Sequence, residues 1–253
     1  MNEHVRIERD DGVLAITLAR PERRNAITVA MYSALAEAIE SASGDPDVRL
    51  ITIRGEGQDF TAGNDLNDFL QALPRNSEDI PVWRLLRALA SNEVPLVAAV
   101  QGNAVGIGTT ILLHCDLVIA AQSARFSMPF VDLGLVPEAA SSLLLPRLAG
   151  RRTAARYLLL GESFGAQEAA DANIASHVVP DDALAATLAD VVERLLAKPA
   201  EALRLTQKLL RQSTTEEILE RIDLESGLFA ERLKSAEVAA AIAAFFQRKD
   251  AGA

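Results

Sequence analysis

The feature that most constrains this chain is the alternation, through its first half, of short apolar runs with helical patterns. Val5-Arg6-Ile7-Glu8 alternates apolar and polar side chains, the period of a half-buried strand. Asp11-Gly12 is a hairpin-turn signal, and Val13 to Leu18 reads as the returning strand. Thr28 suits the N-cap of a helix reaching about Ser43, with Met31, Leu35, Ala38 and Ile39 on one face and Gly44-Asp45-Pro46 as its stop. Val48 to Ile53, Pro95 to Val100 and Cys115 to Ala120 are buried-strand candidates. Strands alternating with helices predict an α/β layered core. The second half is mostly helical: Arg151 to Leu160, Asp182 to Ala197, Pro199 to Gln212, and a last region from Thr214/Thr215 to about Lys249. No repeat recurs at a period of roughly 20–50 residues, which argues against a solenoid. No long Pro/Gly/Ser linker is present, so the helical tail is expected to pack on the α/β part or on a neighbouring subunit. The chain divides into an α/β core over 1–195 and a helical region over 196–253.

Composition narrows the function classes. The chain has 253 residues, 25 Lys and Arg against 35 Asp and Glu, and a net charge of −10. An acidic chain lacks the basic face a nucleic-acid binder needs, though a small anionic ligand requires only a few local positive charges. A lone cysteine, Cys115, excludes an internal disulfide framework and a cysteine-based zinc cage. No His/Asp/Glu grouping has metal-ligand spacing, so no metal site is expected. Neither a signal-peptide layout nor an apolar run of roughly 18 residues is present, and the expectation is a cytoplasmic protein with no membrane span.

Several motifs invite over-reading. Gly161-Glu162-Ser163-Phe164-Gly165 spells a nucleophile elbow, but that chemistry needs a strand before the serine, and the preceding residues read as helix. A helix–loop–helix turn with Ser163 as a local cap fits better. Gly106-Ile107-Gly108 lacks the third glycine of a dinucleotide fingerprint, because position 111 is Ile. His114 lies on an apolar helical stretch and reads as structural. The acidic stretch from Glu216 to Glu225 reads as one solvated helix face.

Three segments carry chemistry. Phe60-Thr61-Ala62-Gly63-Asn64-Asp65-Leu66 and Gly102-Asn103-Ala104-Val105-Gly106-Ile107-Gly108-Thr109 each follow a strand candidate and precede a helix. Small residues there admit a ligand to the main chain, and a helix start leaves N–H donors without partners. If the two loops converge, they form an oxyanion hole; taken singly, each is equally an ordinary strand–helix connection. In the third segment, Leu135 to Pro146, Pro137 suits a helix start and Glu138 falls in its first turn. Glu138 is either a carboxylate favoured by the helix dipole or, among its apolar neighbours, a desolvated proton shuttle.

These segments resemble the crotonase superfamily, the enoyl-CoA hydratase/isomerase family. The resemblance rests on Arg20-Pro21-Glu22-Arg23-Arg24-Asn25-Ala26, Ala62 to Leu66, Gly102 to Gly108, Cys115 to Ala120 and Leu133 to Glu138, and it spans nearly the whole chain. It implies a spiral of β-β-α units with a C-terminal helical trimerisation region, assembled as a homotrimer or a dimer of trimers. It implies an acyl-CoA thioester substrate, with no cofactor beyond the CoA of the substrate itself. The thioester oxygen would be held by the main-chain N–H groups of Asn64 and Ile107. Arg23 and Arg24 match the region where the family places a positive side chain near the CoA phosphates. Ala26, Ala62, Gly63, Asp65, Leu66, Gly106 and Pro137 would line the substrate. Phe130, Leu135 and Trp83 would wall the acyl pocket or serve as ordinary core.

The hydratases of the family use two glutamates, and here Thr110 and Phe130 stand in their places. Glu138 matches the lone catalytic glutamate of the peroxisomal-type Δ3,Δ2-enoyl-CoA isomerases, the subgroup the chain most resembles. Hydration divides its work between two acid/base groups, whereas moving a double bond needs one base and a cradle for the dienolate oxygen. The resemblance therefore implies an enoyl-CoA isomerase. The alternatives are a hydratase or other acyl-CoA lyase or hydrolase recruiting Asp65 or Asp132, and a non-catalytic acyl-CoA-binding protein. Asp65 also reads as the cap of the helix that follows it.

Overall fold

A computed structural model describes residues 2–68 and 80–251. Strands β1 (Val5–Asp10) and β2 (Val13–Leu18) form an antiparallel hairpin in which Val5 faces Leu18 and Asp10 faces Val13. Its turn residues Asp11 and Gly12 both have positive φ, 41° and 81°, as a tight two-residue hairpin requires. The remaining strands of this sheet, β3 (Leu50–Gly55), β4 (Leu96–Val100), β6 (Leu117–Ala121) and β9 (His177–Val179), add in parallel, giving the order β1-β2-β3-β4-β6-β9. A second sheet, β5-β7-β8, is made of Asn103–Val105, Arg125–Ser127 and Phe164–Gly165.

Alternation along the parallel strands explains the continuous apolar runs. Leu50, Val97 and Ile119 face Val191 of α7 (Leu184–Leu196). Their neighbours Ile51, Leu96, Ala98, Val118 and Ala120 face the larger core, which includes Leu35 and Ile39 of α1 (Val29–Ser43) and Leu85 and Leu89 of α2 (Pro81–Ser91). A parallel sheet covered on both faces needs no polar side. Thr28 caps α1 as expected, its hydroxyl oxygen accepting from the Met31 N–H at 3.3 Å.

The chain advances in β-β-α turns, with one strand joining each sheet per turn. After β3, Thr61 bridges in parallel to Ala104 before residues 66–68 turn helical. After β4 come β5 and α3 (Ile107–Thr110), and after β6 come β7 and, further on, α4 (Ser141–Ala149). This is the crotonase-type spiral. Helices α5 (Arg151–Leu159), α6 (Ala166–Asp171), α8 (Ala200–Arg211), α9 (Thr215–Leu233) and α10 (Ala236–Ala251) complete the described elements.

The last helical region is two helices, because Ser235 interrupts it and accepts from the Val238 N–H at 3.3 Å, starting α10 afresh. One expectation is corrected. Ser163 caps nothing: β8 follows it, and Glu168 accepts from the Gly165 N–H at 3.0 Å instead. Helix α5 does precede Ser163, so the strand a nucleophile elbow needs is absent there. The tail folds back on the core of its own chain. Phe229 meets Trp83 edge-on, ring centroids 5.6 Å apart, and Arg211 reaches the Leu89 carbonyl at 3.1 Å, Asp116 at 3.2 Å and the His114 carbonyl. Among the described residues no helix is long and apolar enough to cross a membrane.

Candidate active site

Parallel pairing decides where the three chemical segments meet. Thr61 runs parallel to Ala104, and β5 parallel to β7, so the chain leaves all three strands at the same edge of the small sheet. The carboxyl ends of parallel strands are where α/β proteins gather ligand sites. The first loop leaves there through Ala62–Asp65, the second through Gly106–Ile107, and the third through Phe130–Glu138.

Hydrogen-bond accounting then singles out particular donors. In the first loop the Ala62 N–H goes to the Arg24 carbonyl at 2.9 Å, Gly63 to the Thr61 hydroxyl at 3.0 Å and Asp65 to the Ile27 carbonyl at 2.9 Å. The Asn64 N–H, between them, has no acceptor among the described residues. In the second loop Gly106 donates to Ser127 at 2.8 Å, and Thr109 and Thr110 donate back to Gly106. The N–H groups of Ile107 and Gly108, in the first turn of α3, have no acceptor among the described residues. The loops lie close because glycine allows it. Gly63 has φ +86°, and a Cβ there would stand 2.7 Å from the Val105 carbonyl oxygen. Gly106, φ +56°, turns the second loop into α3.

Glu138 is not in a helical first turn. Helix α4 begins at Ser141, and Glu138 lies in irregular chain ahead of Ala139 and Ala140, whose φ values of 62° and 54° are both left-handed. Tertiary partners override the local helix signal of Pro137. His114 Nε2 donates to the Ala139 carbonyl at 2.8 Å, and the Ser142 N–H just beyond the turn donates to Glu225 at 3.0 Å. The dipole reading is therefore set aside. Glu138 is 1 % exposed, and its Oε1 has no hydrogen-bond partner among the described residues. Burial, with a smaller contribution from the charge of Glu225, pushes its pKa up to about 8. Burial likewise brings His114 down to about 4, leaving it a neutral donor.

Two residues absent from the sequence candidates belong to this neighbourhood. Tyr32, buried on α1, donates to the Asn64 side-chain carbonyl; burial first and the charge of Glu138 second hold its phenol well above its usual range. Glu225 is 4 % exposed, and its Oε1 accepts from the Ser142 N–H at 3.0 Å and from the Ser142 hydroxyl at 2.5 Å. This corrects the reading of residues 216–225 as a solvated face: Glu216, Glu217 and Glu220 are exposed, but Glu225 shares the buried stripe of Ile222 and Phe229. Helical spacing put it there, and that spacing was readable in the sequence.

The other candidates fall in distinct places. Asp65 accepts from the Asp68 N–H at 3.3 Å and pairs with Arg20 at 2.7 Å, so it caps residues 66–68 and its carboxylate is held well away from general-base work. The side-chain hydrogen bond from Arg20 keeps its pKa low against the opposing effect of burial. Arg23 and Arg24 sit on an exposed turn beside the first loop, and Ala26 is half-buried where that turn rejoins it. Ala62, Leu66, Gly106 and Pro137 are half-buried, while Phe130 and Leu135 are buried in the main cluster. Trp83 is buried and packs edge-on against Phe229 of the tail. Asp132 is exposed against Gly161. Thr110 is fully buried, so neither it nor Phe130 offers a carboxylate. Among the described residues no group of His, Cys, Asp or Glu is arranged to hold a metal ion.

Comparison with known proteins bears on this geometry. A family model described as Enoyl-CoA hydratase/isomerase matches residues 8–252. A protein named 1,2-epoxyphenylacetyl-CoA isomerase from Escherichia coli strain K12 is 34% identical, covering 98% of this chain and 97% of its own. From the same organism, a protein named 2,3-dehydroadipyl-CoA hydratase is 33% identical, with 96% and 95% covered. A crystal structure of an enoyl-CoA hydratase/isomerase from Pseudoalteromonas atlantica T6c superposes with a TM-score of 0.93 at 39% identity, over 97% of this chain and 98% of that one.

Proposed function

Because the chain belongs to the enoyl-CoA hydratase/isomerase family, we propose that its reaction is isomerisation of a 3-enoyl-CoA to the 2-trans-enoyl-CoA, without a cofactor. The observation that carries this reading is Glu138, a buried carboxylate whose Oε1 has no partner among the described residues, linked through Tyr32 to the loop of Asn64, whose N–H, like those of Ile107 and Gly108, has no acceptor among them. In this mechanism the Glu138 carboxylate takes a proton from C2 of the acyl chain. The electron pair moves through the former C3=C4 bond and the thioester carbonyl to give a dienolate. The Asn64 and Ile107 N–H groups hold its oxygen, and Glu138 returns the proton to C4, leaving the double bond between C2 and C3. A proton affinity near neutrality serves a group that must both take and give in one turnover. The two amides act on charge that develops only during reaction, and loss of one such donor typically costs about 10²–10³-fold.

The decisive experiment is E138Q assayed with a 3-enoyl-CoA. Turnover falls by at least about 10³-fold, on the scale of losing the only acid/base group, while acyl-CoA affinity stays within a few-fold of wild type. Unchanged turnover removes the mechanism. A hydratase reading draws on one observation, the second buried carboxylate of Glu225 close enough to affect Glu138. Rapid loss of enoyl absorbance from a 2-trans-enoyl-CoA supports that reading. Acyl-CoA binding without α-proton exchange in heavy water supports a non-catalytic binder. We also assign the exposed apolar side chains of Leu205, Leu209 and Leu210 on α8 and Leu224 and Leu228 on α9 to subunit contacts of a homotrimer or dimer of trimers.

A further inference from the structure

We propose that Glu225, carried by α9 of the C-terminal helical region, is a positioning residue that, opposite His114, clamps the Ala139–Ala140 turn and so fixes and tunes Glu138. This rests on Glu138 being the base. Two consecutive left-handed alanines cost conformational energy and persist only where their surroundings over-determine them. Here the surroundings are explicit. His114 holds the turn from the carbonyl side, through Ala139. Glu225 holds the chain as it leaves the turn, its Oε1 accepting from the N–H and the hydroxyl of Ser142. Arg221, one turn earlier on α9, reaches the Ser142 hydroxyl at 3.3 Å and anchors the same contact.

A carboxylate in that place does two things an uncharged clamp cannot. It accepts from the Ser142 N–H in the first turn of α4, where negative charge is favoured. Its charge also opposes ionisation of Glu138, which lifts the proton affinity of the base. The ionisable groups that face Glu138 among the described residues are Tyr32 from α1, neutral through burial; His114 from the segment after α3, also neutral; and Glu225 from α9. Glu225 is therefore the group whose charge sets this balance, and it reaches the site from a part of the chain far along the sequence.

The test compares E225Q, E225A and E225D with wild type and with E138Q, using the full chain and a 3-enoyl-CoA across pH. E225Q keeps an amide oxygen to accept from the Ser142 N–H and hydroxyl but removes the charge, so the acidic limb of the log kcat–pH profile moves to lower pH by about one unit. E225A loses the clamp as well, and its plateau kcat falls about ten- to a hundredfold with KM within about threefold of wild type. E225D keeps the charge and restores the position of the limb. If E225A does not fold, E225Q decides the matter. With E138Q inactive, a limb that stays at its wild-type position in E225Q, or a plateau kcat in E225A equal to that of wild type, overturns the proposal and leaves the base standing. Full turnover by E138Q overturns the base and the clamp together.

Discussion

At the scale of single residues, Glu138 links activity and stability through one proton. In the proposed mechanism its active form is the carboxylate, and burial pushes its pKa in the folded chain up to about 8. Below that pH, kcat for isomerisation is expected to rise about tenfold per unit and then level off, read from initial rates. The stability effect has the opposite sign. A carboxyl group has a pKa of about 4.3 in an unfolded chain, so between that value and about 8 the folded state holds a proton the unfolded state has lost. Each unit of that gap costs about 1.4 kcal/mol as pH rises through the window. E138Q therefore melts at a higher temperature than wild type at pH 8.5 and at the same temperature at pH 4, where both side chains are neutral. Equal melting temperatures at both pH values would show that Glu138 is not desolvated. The sequence announced an acidic residue among apolar neighbours, but not its setting. The left-handed Ala139–Ala140 turn depends on His114 and Glu225, partners distant in the chain, and no local signal encodes it.

At the scale of elements, close approach of the first two loops is the vulnerable step. G63A combines a strained φ of +86° with a methyl group 2.7 Å from the Val105 oxygen, so the loops must separate. The expected loss in kcat is about 10²–10³-fold with the far-ultraviolet circular dichroism unchanged, the effect of displacing an oxyanion donor rather than unfolding the chain. The hairpin, the α1 cap and the parallel strands were legible because each follows from local periodicity and turn chemistry. Convergence of the loops was not legible, since it arises from the parallel pairing of Thr61 with Ala104 and of β5 with β7. Glu225 was half legible. Its spacing from Ile222 and Phe229 marks a buried stripe, yet the density of neighbouring acids made a solvated face the easier reading.

At the scale of the whole molecule, the tail is latched to the core by Arg211. This side chain satisfies the carbonyls of Leu89 and His114 and pairs with Asp116, itself the acceptor for the Leu96 N–H at 2.8 Å. R211A leaves those groups short of a charged donor and is expected to lower stability by about 3 kcal/mol in urea denaturation. The double variant L209E/L210E places charge on the most exposed apolar side chains of α8, and sedimentation is expected to show a single subunit, against the larger assembly proposed for wild type. The spiral itself has a consequence for how such chains diversify. In the proposed mechanism two of its turns grip the thioester oxygen and a third presents the reacting group, each on a separate stretch of sequence. New chemistry can therefore arise by rewriting one coil of the spring, while the hand that holds the carbonyl stays as it was.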